Sequence, residues 1–244
     1  MPTRPTVAIL GEFGTYSELQ QACERVGAQA FVTTDLNSLR DADGMVIAGH
    51  KKSLETYEAV RKLHGDRVLG RRVAGGRPVL VAGAGFGMLF EIIRTVNPEL
   101  GDLDISALGE WPGAAQDLAT AGAHPGYYRV EVAVSSKFLQ DLPEPLNFKA
   151  EDGVFTWDFD QSIDYMEPPA VSWTDADPRY IAAIENGPLT AIQFCPVASG
   201  AAGEEFLRRW VAHLPIMNRL KHHKFYEKLR RSIICHLYTP DLFL

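Results

Sequence analysis

Three short segments hold the residues whose types and spacing could do chemistry. The apolar run Pro78-Val79-Leu80-Val81-Ala82 breaks into Gly83-Ala84-Gly85-Phe86-Gly87, a buried strand turned sharply by glycines. Such a turn, if a helix follows, can offer backbone N–H groups to a small anion. Phe194-Cys195-Pro196-Val197 follows a second apolar run and supplies a thiol; Ala48-Gly49-His50-Lys51 follows a third and supplies an imidazole and an ammonium. A cysteine paired with a histidine becomes a nucleophile when the imidazole takes the thiol proton and a third group orients the ring. No orienting carboxylate is evident beside Cys195 and His50, so the plainer reading of Cys195 is a small, partly buried residue. The glycine spacing is GxGxG, not GxGxxG, and lies mid-chain. Asp102 and Asp104, near the distance of a ribose-binding acid, follow no convincing second strand, which speaks against a dinucleotide site. His222, His223, Cys235 and His236 match no metal-ligand spacing. No metal and no cofactor is expected.

The elements that must position these residues alternate. Val7–Leu10, Ala30–Thr33, Met45–Ala48 and Pro78–Ala82 read as buried strands. Ser17–Val26, Leu54–His64, Arg67–Ala74 and Gly85–Arg94 carry helical spacing, with Ser17 as an N-cap and Gly27 as a stop. Cys23 falls on the apolar face of the first helix, as a structural thiol does. Continuous apolar strands alternating with helices indicate a parallel sheet covered on both faces. The second half changes character. Tyr128–Val134, Gly153–Phe159, Ala170–Trp173, Tyr180–Glu185 and Ala191–Phe194 read as short strands separated by Pro, Gly and Asp. Asn186-Gly187 is a hairpin signal, and a last helix runs over Ala201–His213. The fold class is therefore α/β: a mostly parallel sheet flanked by helices, with antiparallel strands added in the C-terminal half. Trp157, Phe159, Trp173 and Trp210 read as core, and His124 as a solvated loop residue.

With 244 residues, 46% hydrophobic and 23% charged, the chain can bury a sizeable core. The net charge of −7 argues against nucleic acid as a partner. Three scattered cysteines make no disulfide framework, which suits a reducing compartment. The first apolar run is too short for a signal peptide and no stretch is long enough to span a bilayer, so the expected location is the cytoplasm, with no membrane association. Residues 1–214 read as one domain and 215–244 as a basic amphipathic extension. From Ile216 onward six Lys/Arg face two Asp/Glu, and Leu220, Phe225, Leu229, Ile233 and Leu237 recur every four or five residues. That is an extra packed helix, a partner contact or a segment for an anionic surface.

The run from Arg77 to Glu91, RPVLVAGAGFGMLFE, resembles without a gap the nucleophile elbow of a class I glutamine amidotransferase, the glutaminase subunit of imidazole glycerol phosphate synthase. Other marks stand at matching distances: Gly65–Arg72 with Ala74–Pro78, the loop Gly109–Gly113, Ile181–Pro188 with Ala191–Phe194, and Ser199-Gly200, Gly203 and Leu207–Trp210. The resemblance covers about residues 6–213 and implies a flavodoxin-like amidotransferase fold. It also implies a cyclase barrel as partner in a heterodimer, to which the family's glutaminase supplies ammonia for histidine biosynthesis.

The same resemblance locates what is missing. The family hydrolyses glutamine with a Cys-His-Glu triad and two backbone amides facing the oxyanion. Gly83 stands at the nucleophile, Cys195 at the base and Val197 at its carboxylate partner. Gly87 replaces a glutamine just after Ala84 and Gly85 at the elbow. Ala48-Gly49-His50-Lys51 replaces the oxyanion loop Pro-Gly-Val-Gly, and Thr156-Trp157-Asp158-Phe159 replaces the substrate segment Val-His-Ser-Tyr. The pocket-equivalent positions are thus Gly49, His50, Lys51, Ala84, Gly87, Trp157 and Asp158. Losses at nucleophile, base, orienter and substrate loops together imply that glutamine hydrolysis is gone. The chain then acts as a non-catalytic partner of the cyclase, as a module binding another small metabolite in the vacated pocket, or through altered chemistry at Cys195. The glycines further suggest an open elbow able to hold a small anion.

Overall fold

The computed structural model describes residues 4–12, 16–49, 51–97, 101–143, 145–157 and 168–215. The first apolar run forms β1 (Thr6–Leu10), buried throughout. Successive strand side chains point to opposite faces, and β1 divides accordingly. Val7 and Ile9 enter a core shared with Leu19, Ala22 and Cys23 of α1 (Ser17–Arg25), while Ala8 and Leu10 enter a second core on the other face. Then follow β2 (Gln29–Thr33), α2 (Leu36–Asp41), β3 (Gly44–Gly49), α3 (Ser53–Lys62), α4 (Gly65–Ala74) and β4 (Val79–Gly83). α2 is an element additional to those expected from the sequence, and its start is set by Asp35, whose carboxylate accepts the Ser38 N–H at 2.8 Å.

After β4 the chain departs from the expected helix over Gly85–Arg94. A 3-10 turn, Phe86–Leu89, leads directly into β5 (Phe90–Asn97), which pairs antiparallel with β6 (Gly101–Ser106) and parallel with β7 (Trp111–Asp117). The apolar residues Phe86, Leu89, Phe90 and Ile93 do fall at helical spacing, and all are buried. Ile92, Ile93, Thr95 and Val96 are β-branched, however, and stiff side chains of that kind favour the extended pairing that β6 and β7 provide.

The remaining elements are β8 (Gly126–Tyr128), β9 (Val130–Glu131), β10 (Leu146–Phe148), β11 (Asp152–Gly153), β12 (Ala170–Thr174), β13 (Ile181–Asn186), β14 (Leu189–Ile192) and α5 (Gly200–Ala212). The strand expected over Tyr128–Val134 is thus two short pieces ending at Glu131. Of the one expected over Gly153–Phe159, the described part pairs only at Gly153. The hairpin between β13 and β14 turns on Gly187-Pro188, one residue later than expected, with Gly187 at φ 56°. A positive φ at the first loop residue is what a II′ turn requires.

Among the described residues the main sheet has the order β2-β1-β3-β4-β14-β13-β12-β9. It is parallel from β2 to β14 and antiparallel from β14 to β9. A four-stranded sheet, β11-β7-β5-β6, and the pair β10-β8 stand apart from it. The mostly parallel α/β architecture read from the sequence is present, with the antiparallel additions in the second half. Leu214, just past α5, is still core; the basic extension lies outside the described residues from 216 onward.

One buried cation aligns β3 and β4. Arg72 of α4 is 1% exposed, and its guanidinium donates to the carbonyls of Leu39 (2.9 Å), Arg40 (3.0 Å), Ala42 (2.9 Å), Asp43 (3.2 Å) and Pro78 (2.9 Å). These carbonyls belong to the end of α2, the approach to β3 and the approach to β4. Burial, with the nearby charge of Arg77, brings the Arg72 pKa down to about 10. Asp43 adds a second tie by accepting the Thr6 N–H at 2.7 Å and Oγ at 2.8 Å, which fixes β3 against β1. Arg72→Leu keeps the bulk but strands several buried carbonyls. It is expected to lower stability by at least about 2 kcal/mol in urea unfolding.

Candidate functional site

β4 ends in a sharp glycine turn that carries no side chain at Gly83. Gly83, the last residue of β4, has φ 64°, the left-handed conformation of a sharp strand exit. It lies in register beside Gly49, the last residue of β3. A Cβ built on Gly83 falls 2.5 Å from the Gly49 carbonyl oxygen, closer than any side chain tolerates. That oxygen also accepts the Ala84 N–H at 3.4 Å, a long hydrogen bond. The space in which a side chain at the elbow would start is therefore filled by backbone, and the amide after the elbow is turned inward. The opposite approach is equally close: a Cβ on Gly49 would meet Thr56 Oγ1 and, at 2.5 Å, the Gly85 nitrogen.

The expectation of an open elbow holding an anion fails for two physical reasons. The glycines serve close packing: a Cβ on Gly87 would run into Ser53 and would lie 2.8 Å from the Ala115 Cβ. Moreover the chain leaves the elbow as a four-residue 3-10 turn and a strand, so no α-helix begins at the elbow.

A cavity of about 170 Å³ remains beside the elbow. Gly49, Gly83, Cys195 and Val197 line it, together with Tyr16 and Lys149, which the sequence reading did not single out. Cys195 is half-buried in the loop after β14. Its N–H donates to the Asn147 carbonyl at 2.8 Å, and its own carbonyl accepts the Ser199 N–H at 3.0 Å and Oγ at 2.8 Å. Tyr16 caps α1 at φ 55° and donates its hydroxyl to the Ala48 carbonyl at 2.8 Å; burial raises its pKa. Neither residue had a signal in the sequence. Tyr16 stands one position before the expected cap Ser17, and Lys149 sits in a loop that only tertiary folding brings here.

The other expected pocket positions lie elsewhere. Ala84 is fully buried behind the elbow. Gly87 packs on α3 and β7 as described. Trp157 stacks edge-on against Trp111 at 6.3 Å and belongs to the rim of a core cluster. Lys51 extends away, its ammonium 3.9 Å from Glu151. His50 and Asp158 lie outside the described residues. Cys23 is sealed in the core, where burial first and Glu24 second push its thiol up to about 12. Among the described residues no three His, Cys, Asp or Glu are grouped to hold a metal ion, and no helix is long and apolar enough to cross a membrane.

The loop carrying Gly49 is held down by charge. Lys52 bonds to Asp117 of β7 and lies 3.5 Å from Glu151 and 3.7 Å from Asp152. The Ser53 N–H donates to the buried Asp152 carboxylate, and the Glu151 N–H donates to the Lys51 carbonyl at 2.8 Å. Burial works against the Lys52 charge, but the bond to Asp117 and the fields of the three acids outweigh it and raise its pKa. Asp117 is likewise opposed by burial, yet its bonds to Lys52 and the Thr120 amide leave it below the ordinary 3.8. Asp152 is raised, chiefly by burial.

Comparison with known proteins places this architecture. No family model matches the chain. The chain is 37% identical over 215 residues to the imidazole glycerol phosphate synthase subunit HisH of Thermobifida fusca, covering 86% of this chain and all of that protein. It is 36% identical over 209 residues to the same subunit of Renibacterium salmoninarum, covering 84% and 93%. The chain belongs to the HisH family. Among solved structures, a glutamine amidotransferase shares its fold at TM-score 0.52 and 16% identity, over 85% of this chain and 97% of that one. The glutaminase domain of Trypanosoma brucei CTPS does so at TM-score 0.54 and 12% identity, over 87% and 96%. Within this family frame the elbow of β4 and the loop after β14 meet at one cavity.

Two outcomes are expected. Gly83→Cys forces a side chain against the Gly49 carbonyl. It should destabilise the protein by roughly 1–3 kcal/mol in urea unfolding and release no ammonia from glutamine. Lys52→Met leaves the Asp117, Glu151 and Asp152 carboxylates without their shared cation, and should cost about 1–3 kcal/mol at neutral pH. The sign with pH follows from the shifts. The depressed Asp117 adds stability that is complete above 3.8 and is lost as pH falls through its folded value. The raised Lys52 adds stability that is complete below 10.5 and is lost as pH rises through its folded value. Asp152, being raised, opposes Asp117 over the acid range: its contribution is complete below 3.8 and is lost as pH rises. The deficit of Lys52→Met should therefore be largest near neutrality and shrink below pH 3.8, as unfolding at a series of pH values will read directly.

Proposed function

We propose that this chain is a non-catalytic member of the HisH family, unable to hydrolyse glutamine, that has kept the amidotransferase frame to serve as partner of a cyclase barrel. The observation that carries the reading is at Gly83. The position of the nucleophile has no side chain, and the neighbouring backbone occupies the space where one would begin. Hydrolysis also needs a base and an orienting carboxylate, and the positions that match them hold Cys195 and Val197. Loss of one triad member already costs several orders of magnitude in rate. The barrel as partner is supported by the family resemblance over nearly the whole described chain, the Gly109–Gly113 loop included.

A second reading is favoured by the cavity itself. The roughly 170 Å³ at Gly83 is not collapsed, and Lys149, Tyr16 and Cys195 give it polar walls. A small metabolite other than glutamine could be held there.

The test mixes the purified chain with the cyclase from the same cell and its nucleotide substrate, and follows turnover with glutamine and with ammonium salt in parallel. The expected outcome is no turnover with glutamine and turnover with ammonium that this chain enhances. Turnover with glutamine overturns the non-catalytic reading. Turnover with ammonium that the chain leaves unchanged removes the partner and leaves the metabolite site.

A further inference from the structure

The strand order of the main sheet contains a reversal. The chain runs from β1 outward to β2, then crosses back to β3 on the other side of β1. In open α/β sheets the loops at such a point diverge and leave a crevice outside the carboxyl ends of the two strands. A crevice of about 290 Å³ stands there. Leu10 and Gly11 at the end of β1, Ile47 at the end of β3, and Val60 and Leu63 along α3 form its apolar floor and wall. It adjoins the cavity at Gly83, and Tyr16, Ala48 and Gly49 line both. A bulky residue in the left-handed region, as Tyr16 is, is strained, and such strain gathers at functional walls.

The charges at the crevice point to the ligand. Glu12, Lys51, Glu55 and Lys62 all line it. Lys51 is drawn toward Glu151. Glu55 and Lys62, among the described residues, enter no ion pair. Seven residues apart on α3, they lie on one side of the helix about 10 Å apart along its axis. Between them Thr56, Ala59 and Val60 are the lining residues. Doubly wound sheets often hold a nucleotide at this point, but here Glu12 and Glu55 line the crevice and repel a phosphate. The volume is at the small end for ligand sites.

We propose that this crevice binds a small zwitterionic metabolite whose two charges stand well apart, of ω-amino-acid to dipeptide size, with its ammonium toward Glu55 and its carboxylate toward Lys62. The proposal does not rest on the non-catalytic reading or on a cyclase partner.

The probe is 6-aminohexanoate, whose two charges are separated by an apolar chain of matching length, titrated into the full chain and followed by amide NMR shifts. The expected result is saturable binding with Kd at or below about 1 mM and shifts centred on Gly11, Thr56 and Ala59. Glu55→Gln and Lys62→Gln should each weaken it about five- to tenfold, while Lys149→Gln, in the neighbouring cavity, leaves it unchanged. Both substituted residues are exposed, so loss of folding is not at issue. Hexylamine and hexanoate, each lacking one charge, should bind at least fivefold more weakly. No saturable shift up to 10 mM, equal binding of either singly charged control, or sensitivity to Lys149→Gln in place of Glu55→Gln and Lys62→Gln overturns the proposal.

Discussion

The carbonyl of Gly49 stands over the end of β4, and the arrangement of the sheet's carboxyl edge depends on that approach. With β3 and β4 in register up to Gly49 and Gly83, the two exits come so close that neither position accommodates a Cβ. The approach propagates outward. Gly85 and Gly87 continue the tight contact onto Val81, Ser53 and Ala115, which brings the start of α3 and the strand β7 against the elbow. A side chain at any of these positions would separate the layers, so the glycines act together as one packing device. The polar consequence is that the amide of Ala84 is answered by protein and not by a ligand.

Two charged groups hold this edge from opposite ends. Arg72 gathers carbonyls at the amino end of β3 and β4, and Lys52 gathers carboxylates at the carboxyl end, where the loop after β3 must meet the outlying four-stranded sheet. The two differ in kind. Arg72 is buried among carbonyl dipoles and offsets its desolvation chiefly by hydrogen bonds to them, with the charges of Asp43 and Asp41 adding to it. Lys52 is about one-third exposed and works through opposite charges, so it responds to pH and salt. Asp152 links the second system to the core: its carboxylate caps Ser53 and its carbonyl accepts from Gln193 near the end of β14. The loops of β3 and β14, which face each other across the cavity, are thereby coupled through one residue.

A family fold can outlast its chemistry because different forces maintain the two. The two cores, the parallel register and the buried arginine are set by burial and backbone hydrogen bonding, and the residues at Gly83, Cys195 and Val197 are compatible with all three. Catalysis needs particular atoms at particular places, and the proposed loss of glutamine hydrolysis rests on atoms of that kind. The crevice at the β1/β3 reversal belongs to the first category: it follows from strand order, and so is available to this chain whatever stands at the elbow.

Much of this was legible in the residues themselves. Alternating apolar runs and helical stripes dictate a covered parallel sheet, because buried strands must be apolar on both faces. The absence of a thiol at Gly83 is likewise a fact of the sequence, since no folding can supply a missing atom. Other features were decided only by tertiary structure. Phe86, Leu89, Phe90 and Ile93 fit a helix by spacing, yet become turn and strand because β6 and β7 offer the β-branched run a ladder on both sides. The glycines of the elbow suggest openness to a reader of residues, whereas the register of β3 against β4 makes them a seal. Tyr16 and Lys149 reach the cavity, and Ala84, Gly87 and Trp157 do not, because side-chain direction depends on the local twist of elements that only packing sets. Periodicity is a property of the chain; proximity between distant segments is a property of the fold.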